Sequence, residues 1–124
     1  MKLQIIEGTP HSPKVELNPT GEIKMHGRCI IEDSIEFFAP IFLWIKCFNF
    51  NKVNIDINLE YINTSSVKQL YCMLQHVKSN RNIKEVYINW YYEEGDDDML
   101  ELGQDIESQI NLPFDFFECA EKLA

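Results

Sequence analysis

The chain lacks the short motifs with which small enzymes hold phosphates, metals or an activated nucleophile. Its five glycines form neither a G-x-G-x-x-G nor a Walker pattern, which excludes the common glycine-rich phosphate-binding loops. The three histidines have no metal-ligand spacing, and none predicts a catalytic triad with a hydroxyl residue. A solvated surface role is the simpler interpretation for His11, His26 and His76. We therefore expect no catalytic residue, no metal and no cofactor.

Paired cysteines and long apolar runs are also missing. The four cysteines are widely spaced without a C-x-x-C motif, so a zinc site or a disulfide framework is not expected. We expect these cysteines to be buried free thiols. They are Cys29, Cys47, Cys72 and Cys119. The first eight residues contain no apolar core of signal-peptide length, and no segment is long enough to span a membrane. These absences predict a cytoplasmic protein.

Positive charge is scarce, with 11 Lys and Arg against 20 Asp and Glu, for a net charge of −9. Nucleic-acid binding depends on neutralising phosphates, and attraction to anionic membranes needs basic residues, so neither partner is expected. An acidic surface suits a protein that binds other proteins. The length of 124 residues predicts one domain over 1–124, and a 45% hydrophobic content is sufficient for a core.

Hydrophobic periodicity predicts an α/β fold with a mixed sheet. Strand-like alternation at 22–26, 53–61 and 83–92 is followed each time by helical spacing, at 37–48, 67–77 and 99–110. This βαβαβα order indicates right-handed crossovers and a largely parallel sheet. A short strand at 3–5 and a hairpin formed by 14–17 and 22–26 add an antiparallel part at the N-terminus.

The parallel strands alternate apolar and polar residues, whereas strands buried on both faces are usually apolar throughout. We therefore expect the helices to lie mainly on one face of the sheet. The other face would present a polar surface with tyrosines, which is either a contact surface or simply solvated. Its predicted residues are Asn54, Asp56, Asn58, Glu60, Tyr87, Asn89 and Tyr91, with Lys24, His26 and Arg28 at its margin.

Three local patterns give sharper expectations. Asp33 or Ser34 should cap the first helix, but Pro40 interrupts its helical run, so the regular helix should either begin near Ala39 or kink at the proline. The sequence from Asp98 to Glu101 has the pattern of a capping box at the start of the last helix. The aromatic residues after Pro113 should form a tail that packs on the core.

The stretch Asn63-Thr64-Ser65-Ser66 lies where a predicted strand passes into a predicted helix. A helix start has four unpaired backbone N–H groups and the positive end of the helix dipole, so it can accept a phosphate. A phosphorylatable hydroxyl at this place can serve as a switch. The simpler interpretation is a helix N-cap, a role for which Asn63 is also suited.

A second candidate region is the 93–98 loop. Eight acidic residues and no Lys or Arg fall between positions 93 and 107, but the spacing of an EF-hand is missing. Acidic residues at a helix start also complement its dipole, which is a structural explanation. Both candidate loops follow parallel strands and should share one edge of the sheet. We predict partner-binding residues there, namely Asn63, Glu93, Glu94, Asp96, Asp97 and Asp98.

Two segments, 59–68 and 90–103, together resemble the signature blocks of the SiaC family of bacterial regulatory phosphoproteins. Shorter matches around Gly8-Thr9-Pro10, Gly21-Glu22-Ile23 and Phe37-Phe38-Ala39-Pro40 extend the resemblance over nearly the whole chain. One departure is the Cys29-Ile30-Ile31-Glu32 turn, where the family usually has a Ser-aromatic-Pro-Glu-like sequence. We expect this departure to change the entry into the first helix and, with it, the specificity for a partner.

The resemblance implies a stand-alone domain similar to STAS anti-sigma-factor antagonists, without catalytic activity of its own. It implies phosphorylation of Thr64 by a SiaB-type protein kinase and dephosphorylation by a SiaA-type PP2C phosphatase. In this family the unmodified form is thought to bind and activate a diguanylate cyclase, which links the switch to cyclic-di-GMP and biofilm behaviour. The mapping favours Thr64 over the neighbouring Ser65 and Ser66.

Phosphorylation would add about −1.5 to −2 charges and three acceptor oxygens beside the 93–98 loop. We expect this charge to alter partner binding rather than the fold. Two other functions remain open from the sequence. One is a small hydrolase with Thr64 or Ser65 as nucleophile. The other is a constitutive structural subunit that dimerises through Phe42 and Leu43.

Overall fold

A computed structural model of the chain describes residues 2–120. In chain order its elements are β1 (Gln4–Ile6), β2 (Lys14–Asn18), β3 (Glu22–Cys29), α1 (Ser34–Cys47), β4 (Lys52–Ile62), α2 (Thr64–Ser79), β5 (Glu85–Glu93), α3 (Asp97–Ile110) and β6 (Phe114–Cys119). Every strand and helix predicted before residue 111 is present, and the ends differ from the predictions by a few residues.

The six strands form one sheet in which spatial order follows chain order, from β1 to β6. The β1–β2 and β2–β3 pairs are antiparallel, and the three pairs from β3 to β6 are parallel. Because each right-handed crossover advances to the next strand in the same direction, all three helices lie on one face. The predicted mixed α/β fold, with an N-terminal hairpin and helices on one face, is confirmed.

The core lies between this face and the helices. On β4, Val53, Ile55 and Ile57 are fully buried, whereas Asn54 and Asp56 between them are only half-buried. Burying one such aliphatic side chain contributes about 1.5–3 kcal/mol. The period-two alternation read from the sequence therefore separates a buried face from a solvated one.

The end of β4 contains one more residue than the facing segment of β3. Leu59 pairs with Gly27, and the next pair in the register is Tyr61 with Arg28, which leaves Glu60 as the extra residue of a β-bulge. Beyond the bulge the alternation is inverted. Tyr61 is 51% exposed, and the last residue of the strand is buried.

Helix α1 begins at Ser34 and continues through Pro40, so the predicted cap at Asp33 or Ser34 is confirmed and the alternative start near Ala39 is wrong. The Asp33 side chain caps the helix by accepting a hydrogen bond from the Glu36 backbone N–H at 3.0 Å. The next two turns bury Phe38 and Ile41 completely. Capping and burial together outweigh the backbone hydrogen bond that the proline removes.

The C-terminal aromatic segment forms a sixth strand, which the prediction of a packed tail missed. β6 pairs in parallel with β5, and Phe114 lies opposite Ile88. The Phe114 ring stacks on Trp90 with centroids 6.1 Å apart. The segment does reach the core, but it does so as an edge strand because β5 would otherwise leave its outer backbone groups unpaired.

Candidate functional site

The parallel strands β3 to β6 all end at one edge of the sheet, here called the carboxyl edge. Helices α1, α2 and α3 begin there, with Asp33, Asn63 and Asp96 as their N-cap residues. Strands β4 and β5 are neighbours in register, so the Asn63–Ser66 turn and the 93–98 loop lie side by side. The prediction that both candidate loops share one edge is confirmed.

Asn63, rather than one of the hydroxyl residues, caps α2. Its Oδ1 accepts a hydrogen bond from the Ser66 backbone N–H at 3.3 Å, and its Nδ2 donates to the Ile31 carbonyl at 2.9 Å. Its backbone N–H donates to the Cys29 carbonyl at 2.9 Å. One side chain therefore fixes both the start of α2 and the β3–α1 turn.

The three hydroxyl residues after Asn63 lie in different environments. Thr64 and Ser65, in the first turn of α2, are exposed, and Ser66 is fully buried. The Ser66 Oγ forms no hydrogen bond with the described residues 2–120. Thr64 and Ser65 are therefore accessible to a modifying enzyme in the folded protein, whereas Ser66 is not.

The buried Ser66 hydroxyl lies next to the buried thiol of Cys29. Burial raises the pKa of this thiol, and the nearby Ser66 hydroxyl offsets part of the rise. The contact does not meet hydrogen-bond geometry and is therefore a weak polar contact. Of the four thiols only Cys29 is buried, since Cys47 is exposed and the other two are half-buried; the expectation of buried thiols is therefore wrong for three of them.

The start of α2 differs electrostatically from the other two helix starts. Glu36 lies in the first turn of α1, and Asp97 and Asp98 lie in the first turn of α3, but α2 has no acidic residue in its first turn. Carboxylates at those two helix starts compensate the positive end of the helix dipole. The exposed Thr64 hydroxyl therefore lies at a helix start where no acidic side chain of the first turn competes with an added phosphate.

The 93–98 loop is shaped by capping and by one glycine. Gly95 has φ of 87°, a left-handed conformation that favours glycine. The Asp96 Oδ1 accepts a hydrogen bond from the Met99 backbone N–H at 3.1 Å and caps α3. The predicted capping box starting at Asp98 is therefore wrong, because the helix begins with Asp97. Glu94, Asp97 and Asp98 are exposed, while Glu93 and Asp96 are half-buried.

The sheet face without helices is here called the open face, and it carries both polar and aromatic side chains. The Asn89 Nδ2 donates hydrogen bonds to Asp56 at 2.7 Å and to Asn54 at 3.2 Å. The Tyr91 ring stacks on Phe117 with centroids 5.1 Å apart. Sequence reasoning placed the tyrosine on this face but missed Phe117, because β6 was not recognised as a strand.

Tyr91 also has a perturbed pKa. Partial burial raises the pKa of its phenol, and the Asp56 carboxylate raises it further, while Lys24 acts in the opposite direction. At neutral pH the phenol is protonated and uncharged. The open face is thus a hydrogen-bonded, partly aromatic surface with an acidic residue at its centre.

Residues 2–120 contain no group of three or more His, Cys, Asp or Glu side chains arranged to hold a metal ion. Within the same range, no helix is both long and apolar enough to cross a membrane.

Comparison with known proteins links this fold and both candidate loops to one family. The family model described as SiaC family regulatory phosphoprotein matches residues 6–119. An uncharacterised protein of Pseudomonas aeruginosa strain UCBPP-PA14 is 25% identical over 114 residues, which cover 88% of this chain and 90% of that protein.

Solved structures from Pseudomonas aeruginosa share the fold. A structure of SiaC has a TM-score of 0.82 and 25% identity, covering 98% of this chain and 100% of that one. The crystal structure of apo-SiaC has a TM-score of 0.83 and 25% identity, covering 94% and 98%. The crystal structure of the diguanylate cyclase SiaD in complex with its activator SiaC has a TM-score of 0.84 and 24% identity, covering 94% and 99%.

Proposed function

The chain belongs to the SiaC family of regulatory phosphoproteins, and we propose that it is a non-catalytic interaction module switched by phosphorylation of Thr64. In this proposal the protein works in the cytoplasm as a single stand-alone domain. Its unmodified form binds and activates an effector of the diguanylate cyclase type. A SiaB-type kinase adds the phosphate, and a SiaA-type PP2C phosphatase removes it.

The observation that carries the proposal is the exposure of Thr64 at the start of α2. The residue lies at a helix start without an acidic residue in its first turn. A phosphate on it can be accommodated by free backbone N–H groups and the helix dipole without unfolding the helix. The neighbouring Ser66 is fully buried, which disfavours it as the modified residue.

A diguanylate cyclase effector is supported by the similar SiaC of Pseudomonas aeruginosa, which is described as the activator of the cyclase SiaD. The carboxyl edge of this chain also carries the exposed acidic residues Glu94, Asp97 and Asp98. A phosphate would add negative charge at the start of α2, so like-charge repulsion would weaken docking of a partner that presents acidic groups there. This supports a switch in which the unmodified form is the one that binds.

The strand order supports a module rather than a hydrolase. Open α/β enzymes bind their ligands in a crevice at the point where the strand order reverses. Here spatial order follows chain order throughout the described sheet, so the carboxyl edge has no such reversal. The surface suits binding of another protein better than enclosure of a small substrate.

The proposal is tested by incubating the protein with its cognate SiaB-type kinase and ATP and measuring intact mass. We expect one phosphate on the wild type and on Ser66→Ala, and none on Thr64→Ala. Ser65→Ala is the matched control for an exposed neighbouring hydroxyl and should be labelled like the wild type. Labelling that persists in Thr64→Ala but disappears in Ser65→Ala would reassign the site.

A second measurement tests the output. The phosphorylated and unmodified forms are titrated separately against the purified cyclase, and cyclic-di-GMP synthesis is followed. We expect the unmodified form alone to bind and to raise cyclase activity, while circular dichroism shows the same fold for both. Equal binding by both forms would contradict a switch at this position.

A further inference from the structure

Positive charge is concentrated at the edge of the sheet opposite the carboxyl edge, here called the amino edge. The segments 46–52 and 78–84 contain five of the 11 Lys and Arg residues and no Asp or Glu. The remainder of the chain has the other six basic residues and all 20 acidic ones. The charge of the chain is therefore polarised along its strands. The basic residues of these two segments, here called the amino-edge patch, are Lys46, Lys52, Lys78, Arg81 and Lys84.

Hydrogen bonds hold the two segments of the patch together. The Asn51 carbonyl accepts a hydrogen bond from the Lys84 backbone N–H at 2.7 Å. The Asn80 Nδ2 donates to the Ile45 carbonyl at 2.8 Å and to the Phe48 carbonyl at 2.9 Å, which fixes the end of α1 against the loop after α2. The backbone that carries the basic side chains is therefore ordered before a ligand binds, which lowers the entropic cost of binding.

The helix dipole explains only part of this positive charge. Lys46 and Lys78 lie in the last turns of α1 and α2, where a basic residue compensates the negative end of the dipole. The Lys78 Nζ also donates to the Ile110 carbonyl at 2.8 Å. Arg81 and Lys84 lie in the loop between α2 and β5, outside any helix. Within residues 2–120, neither of these two nor Lys46 belongs to an ion pair, so three positive charges are available to a ligand.

The patch contains a pocket and an exposed aromatic side chain as well as charge. The pocket has a volume of about 340 Å³ and lies between the ends of α1 and α2. Phe50 is 49% exposed, and its ring packs on the buried Phe48 with centroids 5.4 Å apart. An apolar contact surrounded by charged residues is the arrangement of a protein-binding surface. The residues that line the pocket are Lys46, His76, Ser79, Asn80 and Arg81.

We propose that the amino-edge patch binds an acidic segment of a partner protein. Carboxylates of that segment would pair with Lys46, Arg81 and Lys84, and an apolar side chain of the segment would pack in the pocket beside Phe50. Complementary charge gives such a contact its specificity and speeds association. The site takes a partner of the opposite charge to most of this protein's own surface.

Acidic residues beside the patch limit the size of the anion that fits. Glu22 begins β3 and Glu85 begins β5, so both lie at the amino edge on either side of the start of β4. A nucleic-acid duplex or an anionic bilayer is wider than the patch and would bring its phosphates against these two carboxylates. A short acidic segment can contact the basic residues without reaching either glutamate, which favours a protein segment as the ligand.

The patch is remote from the start of α2. Strand β4 runs from one edge of the sheet to the other and has 11 residues, which corresponds to roughly 35 Å. Exposed charges are largely screened beyond about 8 Å at physiological ionic strength. A phosphate on Thr64 would therefore not affect binding at the patch, and both edges could be occupied at once. The inference does not depend on the function proposed above.

The test uses the full chain and a short fluorescent peptide in which glutamates flank one tryptophan on both sides. One control peptide has glutamine in place of every glutamate, and a second has serine in place of the tryptophan. We expect the first peptide to bind and to shift the amide resonances of Lys46, Arg81 and Lys84. The glutamine peptide should not bind, and the serine peptide should bind severalfold more weakly. Equal binding of the three peptides, or shifts confined to the carboxyl edge, would overturn the proposal.

Charge-reversal variants locate the contact. Arg81→Glu and Lys84→Glu should each weaken peptide binding by about threefold or more, because each replaces an attraction between exposed charges by a repulsion. Lys14→Glu, on β2, changes the net charge of the protein by the same amount and should leave binding within about twofold of the wild type. Equal losses in all three variants would show that only the overall charge matters and would contradict a defined site.

The apolar contact has its own matched pair of variants. Phe50→Ser should weaken peptide binding severalfold, whereas Ile35→Ser, at an exposed position in the first turn of α1, should not. Circular dichroism on each variant checks the fold. Wild-type affinity in Phe50→Ser, together with wild-type affinity for the serine peptide, would contradict an apolar contact at the patch.

Two further probes separate a protein segment from other anions. Vesicles of phosphatidylcholine and phosphatidylserine, and single-stranded DNA, are each mixed with the protein in place of the peptide. Neither should bind at protein concentrations at which the peptide is bound, and binding of either one as tightly as the peptide would overturn the assignment.

The independence of the two edges is tested with Thr64→Glu, which should bind the peptide like the wild type. A loss as large as that of Arg81→Glu would contradict this independence. The outcome is separable from that of the kinase assay, since labelling of Thr64 does not require the patch, and peptide binding requires no kinase.

Discussion

At the scale of single residues, Asn63 connects the two loops that shape the start of α2. Its amide group both caps the helix and donates to the Ile31 carbonyl. An N-cap is worth about 1 kcal/mol, and the half-buried hydrogen bond to Ile31 contributes about 1 kcal/mol more. The loss of this one side chain should therefore affect two turns at once.

We predict that Asn63→Ala lowers the free energy of unfolding by about 1–2 kcal/mol, because the cap and the bond to Ile31 are both lost. Urea denaturation measures this change. Asn63→Asp keeps the cap acceptor but loses the amide donor, so its loss should be intermediate. A change of less than about 0.5 kcal/mol in Asn63→Ala, the range of ordinary surface substitutions, would contradict the dual role.

The position of Thr64 at a helix start could be predicted from the sequence, whereas the burial of Ser66 was not predicted. The strand and helix patterns on either side fixed the helix start to within a few residues. Ser66 lies four residues before the buried Leu70 and thus on the inner stripe of α2, which is a signal that was present in the sequence. It was overlooked because a serine at a helix start is usually read as a solvated cap.

At the scale of secondary-structure elements, the packing of α3 on β5 depends on a glycine. A Cβ atom at Gly103 would lie 2.6 Å from Nε1 of Trp90 and 2.7 Å from its Cε2. The Trp90 ring is fully buried, and its Nε1 donates a hydrogen bond to the Met99 carbonyl at 3.0 Å. The ring therefore cannot move away without loss of that bond.

We predict that Gly103→Ala destabilises the protein by up to about 2 kcal/mol, because overpacking costs about 1–3 kcal/mol and the gain in helix propensity offsets only about 1 kcal/mol of this cost. Thermal and urea unfolding measure the change. Gln104→Ala, at the exposed neighbouring position of the same helix, is the control and should stay within about 0.5 kcal/mol of the wild type. A stabilised Gly103→Ala variant would show that the helix and the tryptophan do not pack as described.

Element boundaries were the least predictable part of the fold, and each error has a physical cause. Pro40 suggested a late start for α1, but an aspartate cap and two buried aromatic and aliphatic side chains support the preceding turn. The last strand was missed because its consecutive aromatic residues, Phe116 and Phe117, hide the alternation of a strand. Its formation depends on the free edge of β5, which a local sequence pattern does not contain.

At the scale of the whole molecule, several groups that titrate at high pH have raised pKa values in the folded state. Burial raises the pKa of Cys29, and burial followed by the Asp56 carboxylate raises that of Tyr91. The folded protein therefore keeps protons that the unfolded chain releases. Stability from this source is complete below the ordinary pKa of each group and is lost as the pH rises above it.

We predict that the free energy of unfolding decreases as the pH rises above about 9.0, the ordinary pKa of a thiol, with at most about 1.4 kcal/mol per pH unit from any one group. Urea denaturation between neutral pH and pH values above this point measures the slope. Cys29→Ala removes one of the groups and should give a shallower decrease over the same window. An identical slope in the variant would show that the thiol does not contribute.

The overall architecture was predictable because alternating strands and helices with polar outer faces allow few topologies. One-sided helices follow from the polar residues on the outward side of β4, such as Asn54 and Asp56, together with the handedness of the crossovers. The groove between α2 and α3, which is lined by Val67, Tyr71 and Leu102 among others, was not predictable, because it depends on the spacing of two helices. Helical periodicity identifies the buried stripe of each helix but not the distance between neighbours.

The β-bulge at Glu60 determines which side of the chain reaches the surface at the start of α2. Because the bulge inverts the side-chain alternation in the last residues of β4, Tyr61 points outward and Ile62 points inward just before the junction with the helix. The junction should accordingly tolerate substitutions but not changes in length, since removal of one residue would exchange the two orientations. The exposure of Thr64 thus depends on the strand that precedes it, and the proposed switch requires the length of that strand end as well as the hydroxyl itself.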